Sequence, residues 1–258
     1  MLKKNTLFVG KVLMEFPSLP STNLYASELL SKSKPSEGTV ISAGFQTEGR
    51  GQIGSRWESQ AGLNITLSVI LYPEFLPAAQ QFSLNQAVAL SVRDLAARYA
   101  KKPVYVKWPN DIYLGHRKVA GILLQNTLSS RGFQSCVAGL GINVNQESFS
   151  PALPNPTSLK LETGRPYSLP ELRTVLFQCL EQRYLQLKEG RFDSLNTEYL
   201  QFLYGLGHVA LFERPDGERF RGKINGISPE GLLLVVAEGG QEDAYQLKAI
   251  KMVGPPEM

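Results

Sequence analysis

Cysteine and histidine are both scarce in this chain of 258 residues, with two of each. Cys136 and Cys179 stand alone, neither in a Cys-x-x-Cys pair, and His116 and His208 lie far apart, which argues against a structural zinc site or a disulfide framework. Thiols isolated inside apolar runs suit a reducing, cytoplasmic setting. Long apolar runs are missing too. None approaches the ~18–20 residues of a membrane span, and the apolar stretch after Lys3-Lys4 is too short for a secretory signal. Charge of one sign is not concentrated: the net charge of +4 is spread along the chain, without the clustered basic footprint of a nucleic-acid binder. No repeat or low-complexity block interrupts what is otherwise a globular composition.

The apolar pattern predicts an α+β protein, a mixed β-sheet packed by helices. Residues 12–16 read as a strand, and Ser21 as the N-cap of a helix to about residue 33. β-branched residues mark strands at 39–45 and 64–71, on either side of a glycine-rich loop. Leu84, Val88, Val92, Leu95 and Tyr99 recur at helical spacing and predict a long amphipathic helix within 80–101. Strands follow at 104–108, 112–114, 119–125 and 135–144, the last carrying Gly139 and Gly141. Glycine within a strand often marks close approach of a ligand or another backbone. A helix is expected after Ser168, where Ser168-x-x-Glu171 fits a capping box and Pro170 suits the first turn, with a shorter one over 193–204. From His208 onward, short strands alternate with turn signals such as Asn225-Gly226 and Pro229-Glu230-Gly231. The expected division is therefore a main α+β domain at 1–205 and a small five-stranded barrel at 206–258.

Two runs carry the chemistry. The first, Gly49-Arg50-Gly51-Gln52-Ile53-Gly54-Ser55-Arg56-Trp57, sits between two predicted strands. That context excludes a Rossmann fingerprint, which needs a helix after its glycines, and the run lacks the Gly-Lys-Ser/Thr end of a P-loop. Glycines let a backbone approach an anion, arginines supply charge, and a tryptophan offers a face to a planar ring. The second run, Lys107-Trp108-Pro109-Asn110-Asp111, continues to Arg117-Lys118-Val119-Ala120-Gly121. A hairpin over 114–117 would bring Lys118 opposite Asp111 or its neighbour. Together the runs predict a site that activates a carboxylate with a nucleotide.

With Ser21-Thr22-Asn23 and Gln46 ahead of these runs, and Gly139-Leu140-Gly141-Ile142-Asn143-Val144-Asn145 behind them, the chain resembles the biotin protein ligases along nearly its whole length. The resemblance implies a catalytic domain like that of class II aminoacyl-tRNA synthetases, followed by an SH3-like C-terminal barrel. It also implies two steps: biotin and ATP give biotinyl-adenylate and pyrophosphate, then a lysine of a biotin carboxyl carrier protein domain displaces AMP. By match to the family pattern, Ser21, Thr22, Asn23 and Gln46 belong to the biotin pocket, the first, second and fourth as partners of the ureido ring. Gly49, Arg50, Gly51, Gln52 and Lys118 are implied around biotin and its carboxylate, with Arg50 and Lys118 also reaching the phosphoryl group. Gly121 and Gly139 are implied to leave room for the ring and its chain. Arg56, Trp57, Lys107, Asn110 and Asn143 fall on the nucleotide side. Lys118, Arg50 and Asp111 are the implied catalytic set, although the Asp111 carboxylate could equally anchor Lys107. Mg2+ is expected with the phosphates, with no protein ligands of its own assigned.

The loop departs from the family's Gly-Arg-Gly-Arg-x-x-Arg-x-Trp form: Gln52 and Ser55 stand at two arginine positions, and Arg56 follows one residue later. Weaker retention of the adenylate is the expectation, since glutamine donates hydrogen bonds without charge. Two other functions fit the sequence less well. The family's repressors add an upstream helix-turn-helix, and the Ser-Thr-Asn block at position 21 predicts a monofunctional type without sequence-specific DNA binding. Lipoate attachment usually carries an Arg-Arg-x-x-Gly-Gly-Gly-type run, which this chain lacks, and lipoate would leave a ureido pocket unpaired. The sequence leaves open whether the protein is a monomer or homodimer, and which carboxylase accepts the biotin.

Overall fold

The computed structural model describes residues 6–52, 54–130 and 132–257. Its first sheet has seven strands: β1 (Leu13–Phe16), β2 (Val40–Ala43), β3 (Ile65–Leu71), β4 (Val104–Lys107), β5 (Asp111–Leu114), β6 (Arg117–Ser129) and β7 (Gly132–Ile142). They lie in the order β1-β2-β3-β7-β6-β5-β4, parallel at β1/β2 and antiparallel elsewhere, as expected of a mixed sheet. Side chains alternate between faces along each strand, and here the alternation separates two environments. Leu67, Val69, Ala138, Leu140, Ala120 and Ile122 turn to one face and enter the main core. There α2 (Gln81–Ala97) and α4 (Leu169–Lys188) cover them with Leu84, Val88, Leu95, Leu176 and Leu180.

The other face is treated differently at its two ends. At one end Ile70, Ile41 and Val137 pack beneath Ala26 of α1 (Thr22–Lys32), with Phe16, Tyr25 and Leu29 around them. At the other end Thr66 and Ser68 of β3, Gly139 and Gly141 of β7 and Gly121 of β6 lie in paired register, Ser68↔Gly139 and Thr66↔Gly141↔Gly121. Small and polar residues stand there in place of apolar ones, and only the first turn of α1 reaches them, with Thr22 and Asn23 over Ser68. The N-terminus of α1 therefore points at a floor of glycines.

Helix ends show where local signals sufficed. Ser21 caps α1, its Oγ accepting from the Leu24 N–H. Ser168 precedes α4 but makes no side-chain cap bond, so the expected capping box does not form; Pro170, with its fixed φ, starts the helix instead. Tyr99 lies beyond α2, which ends at Ala97. A short helix, α3 (Leu159–Thr163), capped by Ser158, was not anticipated in the proline-marked stretch. The helix α5 (Phe192–Gln201) ends early, and the next residues shield the β4 edge: Val106 N–H donates to Phe202 C=O and Tyr204 N–H to Val106 C=O.

The second sheet contains β8 (Val209–Glu213), β9 (Arg219–Ile227), β10 (Leu233–Ala237), β11 (Glu242–Tyr245) and β12 (Lys251–Val253), in the order β11-β10-β9-β8-β12. Five short antiparallel strands match the expected SH3-like unit, with β11 and β12 at the two ends of the order. It docks on the first sheet through the β9–β10 turn. Gly231 lies against the Phe82 ring, and its carbonyl accepts from the Trp108 indole at 2.9 Å.

Both cysteines are free and buried, and burial pushes the Cys136 thiol up to about 12. No helix is long and apolar enough to cross a membrane among the described residues. Arg183 ties three helices together: its guanidinium reaches Asp94 of α2 and Glu198 of α5, both at 2.7 Å, with its side chain 10% exposed. Arg183→Ala would leave Glu198 without this cation and Asp94 with only Arg93, in a partly buried site. We expect a loss of about 3 kcal/mol, read as a lower urea midpoint at unchanged m-value; an unmoved midpoint would show the triad to be energetically neutral.

Candidate active site

Over this small-residue end of the sheet lies a cleft of 660 Å³, walled by the glycine loop, the β4–β5 and β5–β6 hairpins and the second sheet. Its inner end is a wired set of small polar side chains. Gln46 Oε1 accepts from both the N–H and the hydroxyl of Thr22, at 2.7 and 3.1 Å. Ser68 Oγ lies 2.8 Å from Thr22 Oγ1 and 2.6 Å from Asn23 Oδ1, and Asn23 Nδ2 donates to Gln125 Oε1 at 2.9 Å. Ser21, Thr22, Asn23 and Ser68 are all buried. Such groups are costly to bury unless every one is bonded, so the network holds Thr22 and Gln46 in one orientation. Gly139 is glycine for the same reason: a methyl there would overlap the Asn23 amide.

Midway, the Trp57 indole lies flat on two glycines. A methyl at Gly141 would run into the indole, and one at Gly121 would stand 3.1 Å from it and 3.4 Å from Lys118 Nζ. The glycine loop reaches this point as a narrow hairpin, with Arg50 bridged to Arg56 and Trp57 N–H donating to Gly49 C=O. Gly49 itself is buried beneath the Trp57 carbonyl. Arg50 and Arg56 are exposed at the mouth, and Gln52 lies between them in the cleft wall. The Trp57 indole N–H is buried and has no partner among the described residues.

Beyond the tryptophan the charges gather. Lys118 Nζ lies 2.7 Å from Asp111 Oδ1, both side chains about 30% exposed or less. Lys118 is opposite Tyr113 rather than Asp111, because a β-bulge interrupts the register between Ile112 and Tyr113. In a regular strand Lys118 and Gly121, three apart, would face opposite sides; the extra residue turns both to the cleft. Asp111 thus anchors Lys118, where the sequence left Lys107 as an alternative. Lys107 instead sits 3.3 Å from the Tyr113 hydroxyl. Burial holds its amine below the ordinary lysine value, opposed by Asp111 and reinforced by Lys118 and Lys251. The Trp108-Pro109 bond is cis, and Asn110 is buried with its Nδ2 donating to the Ile122 carbonyl. Burial also raises the Tyr204 phenol to about 12, beside His116 Nδ1 at 2.7 Å.

The cleft therefore gathers Ser21, Thr22, Asn23, Gln46, Arg50, Gly51, Gln52, Arg56, Trp57, Lys107, Asn110, Asp111, Lys118, Gly121 and Gly139. Gly49 and Asn143 are outside its lining. Asn143 is buried behind it, donating to Thr157 C=O at 2.9 Å, and its Oδ1 has no partner among the described residues. The sequence reading missed Ser68, Gln125, Gly141 and the whole contribution of the second sheet. A polar pair at every second position of β3, Thr66 and Ser68, was the available signal for the first. No group of three or more His, Cys, Asp or Glu side chains able to hold a metal occurs among the described residues.

Residues 15–143 match the biotin/lipoate A/B protein ligase family. The chain is 33% identical over 244 residues to the bifunctional ligase/repressor BirA of Bacillus spizizenii, covering 93% of this chain and 74% of that one. It is 30% identical over 203 residues to the biotin–[acetyl-CoA-carboxylase] ligase of Paracoccus denitrificans, covering 76% and 83%. The solved biotin protein ligase of Aquifex aeolicus, in complex with biotin and ATP, shares its fold with a TM-score of 0.77 at 26% identity, over 95% of this chain and 99% of that one. The matched stretch contains both the glycine loop and the Lys118 strand, and the chain belongs to the biotin/lipoate A/B protein ligase family, on its biotin protein ligase side.

Proposed function

We propose that this cleft joins biotin to AMP and then passes the biotinyl group to a lysine of a biotin carboxyl carrier protein domain. The observation that carries the proposal is the order of environments along one cleft. A bonded polar cluster comes first, then an indole on glycines, then the Lys118–Asp111 pair with Arg50 at the mouth. That order matches a ligand whose polar ring, aliphatic chain and carboxylate follow one another. Ser21, Thr22 and Gln46 are assigned to the ureido ring, with Asn23 and Ser68 holding them. Lys118 and Arg50 are assigned to the carboxylate and the α-phosphate, two anions that repel until fixed cations lie between them.

In the first step a biotin carboxylate oxygen bonds to the α-phosphorus as the bond to the bridging oxygen breaks, and pyrophosphate leaves. In the second, a neutral lysine amine bonds to the acyl carbon, the acyl C–O bond breaks, AMP leaves and the amine gives up a proton. Asp111 is assigned to orient that amine; its tie to Lys118, itself assigned to the carboxylate and the α-phosphate, supports that role. Adenine is assigned to Trp57 and Asn110, which line the cleft; Asn143, buried behind that lining, is assigned to the nucleotide side as a support of its wall. The described residues offer no carboxylate cage for Mg2+, and an ion is expected only together with the phosphates of ATP.

Incubating the protein with biotin, ATP and an apo carrier domain should release pyrophosphate and add one biotin to the carrier, read by mass spectrometry. Release with lipoate in place of biotin would overturn the assignment. Gln52→Arg should slow dissociation of the adenylate by about tenfold, the size of one added charge-assisted contact. Equal release from both proteins would show that Gln52 does not govern retention.

A further inference from the structure

Lys118 owes its position to more than the hairpin that carries it. β7 pairs with β6 from Ala120 onward, so Lys118 lies outside that ladder. Two of its backbone bonds go instead to a strap, residues 155–157, that is neither helix nor strand. Lys118 N–H donates to Asn155 C=O at 2.7 Å, and Lys118 C=O accepts from Thr157 N–H at 2.9 Å, a parallel bridge centred on Pro156. Asn155 stands at a φ of 49°, in the left-handed region that residues other than glycine enter at a cost. Such a conformation persists where surrounding contacts over-determine it.

Those contacts converge on one carboxylate. Thr157 is fully buried, and its hydroxyl donates to Glu162 Oε1 of α3 at 2.7 Å. The same oxygen lies 3.6 Å from the guanidinium of Arg117, the residue before Lys118, which also donates to Pro156 C=O at 3.0 Å. Lys102 holds the second oxygen at 2.7 Å, and the Glu162 side chain is only 5% exposed. A carboxylate is costly to bury unless it is paired. Burial pushes the Glu162 carboxyl up, but the hydrogen bonds from Lys102 and Thr157 outweigh it and hold the group below the usual carboxylate range. Glu162 is thus joined both to the strap that bonds Lys118 and to the neighbour of Lys118 on β6. Neither Thr157 nor Glu162 belongs to the lining of the cleft.

We propose that Thr157 and Glu162 are positioning residues for Lys118, fixing from behind the strand the backbone from which its amine reaches the cleft. The inference rests on the reading of Lys118 as the cation at the carboxylate and the α-phosphate. An amine set between two anions tolerates little displacement, since a misplacement of about 1 Å can cost about a hundredfold in rate.

Biotin-dependent exchange of pyrophosphate into ATP, measured on the full chain, tests it. Thr157→Val keeps the shape of the side chain and loses the hydroxyl. It should lower kcat about tenfold, within the range that misplacement spans, and leave KM for biotin and ATP within about twofold. Thr157→Ser should restore kcat. Glu162→Gln, which keeps the size and loses the charge, should lower kcat in the same way, and it reads the same tie from its other end should Thr157→Val not fold. In a Lys118→Ala background neither change should have a further effect, because the tie acts through that amine. Unchanged kcat in Thr157→Val and Glu162→Gln overturns the inference, as does a loss that persists undiminished in the Lys118→Ala background, which would mark a general disturbance of the fold. A wild-type chain without biotin-dependent exchange, or a Lys118→Ala variant as active as wild type, overturns this inference and the reading beneath it together. Exchange that needs Lys118 but is indifferent to Thr157 and Glu162 overturns this inference alone.

Discussion

Lys118→Ala should lower biotinyl-adenylate formation at least about a hundredfold, the scale of one preorganised contact to developing charge. The fold should survive. Lys118 and Asp111 are each roughly 30% exposed, and a partly exposed ion pair is worth about 1 kcal/mol or less. The bulge that aims Lys118 is a backbone feature set by the β5/β6 register, and Lys118 N–H and C=O are both engaged, with Asn155 and Thr157. The truncated variant therefore keeps the strand and loses only the amine. Biotin-dependent exchange of pyrophosphate into ATP measures the step, and circular dichroism with a thermal midpoint checks the fold. Exchange within a few fold of wild type would remove Lys118 from the reaction. Lys118→Arg should recover little, because the space beside Gly121 and the Trp57 ring fits a point charge, and a guanidinium fork has different geometry.

How far the sequence revealed this site depends on how local each feature is. The two charged runs were legible because each lies within one hairpin, where turn residues and strand alternation fix the geometry over a dozen positions. The N-terminus of α1 was legible for the same reason, through Ser21 as its cap. The bulge was not. Nothing in Ile112-Tyr113 or Lys118-Val119 announces an extra residue, yet it decides that Lys118 and Gly121 share a face. The seat of Trp57 depends on Gly141, which is 84 positions away and adjacent only once β6 and β7 have paired. Asn23 lines the cleft as expected of the biotin pocket, while the bonds of its amide to Ser68, Gln125 and the Leu123 carbonyl are made only by folding and have no local signal. Most distant of all is the second sheet. Its short strands and turns gave its existence, while its place as a wall of the cleft rests on Trp108 meeting Gly231 across 123 positions.

Gly141→Ala should cost as much nucleotide affinity as losing the tryptophan. A methyl at this position would overlap the indole, and the backbone of β7 cannot yield, because it is paired on both sides, with β3 and with β6. The indole sits on a loop instead, so the loop must lift. Stacking of a base on an aromatic ring is worth about 1–3 kcal/mol, and both Trp57→Ala and Gly141→Ala should weaken ATP by that amount, about ten- to a hundredfold. Biotin should lose far less, since its polar contacts are assigned to the α1 end of the cleft. The strand itself should not suffer, because alanine costs less backbone entropy than glycine within a strand. Two measurements separate this account from general damage. Emission from the half-buried Trp57 indole should shift to the red in Gly141→Ala as the ring enters solvent, and the double variant should bind ATP no worse than Trp57→Ala alone, because both changes remove one and the same contact. Additive losses in the double variant, or unshifted emission with unchanged ATP affinity, would mean that the glycine and the indole act independently and that Trp57 is not the platform for the base.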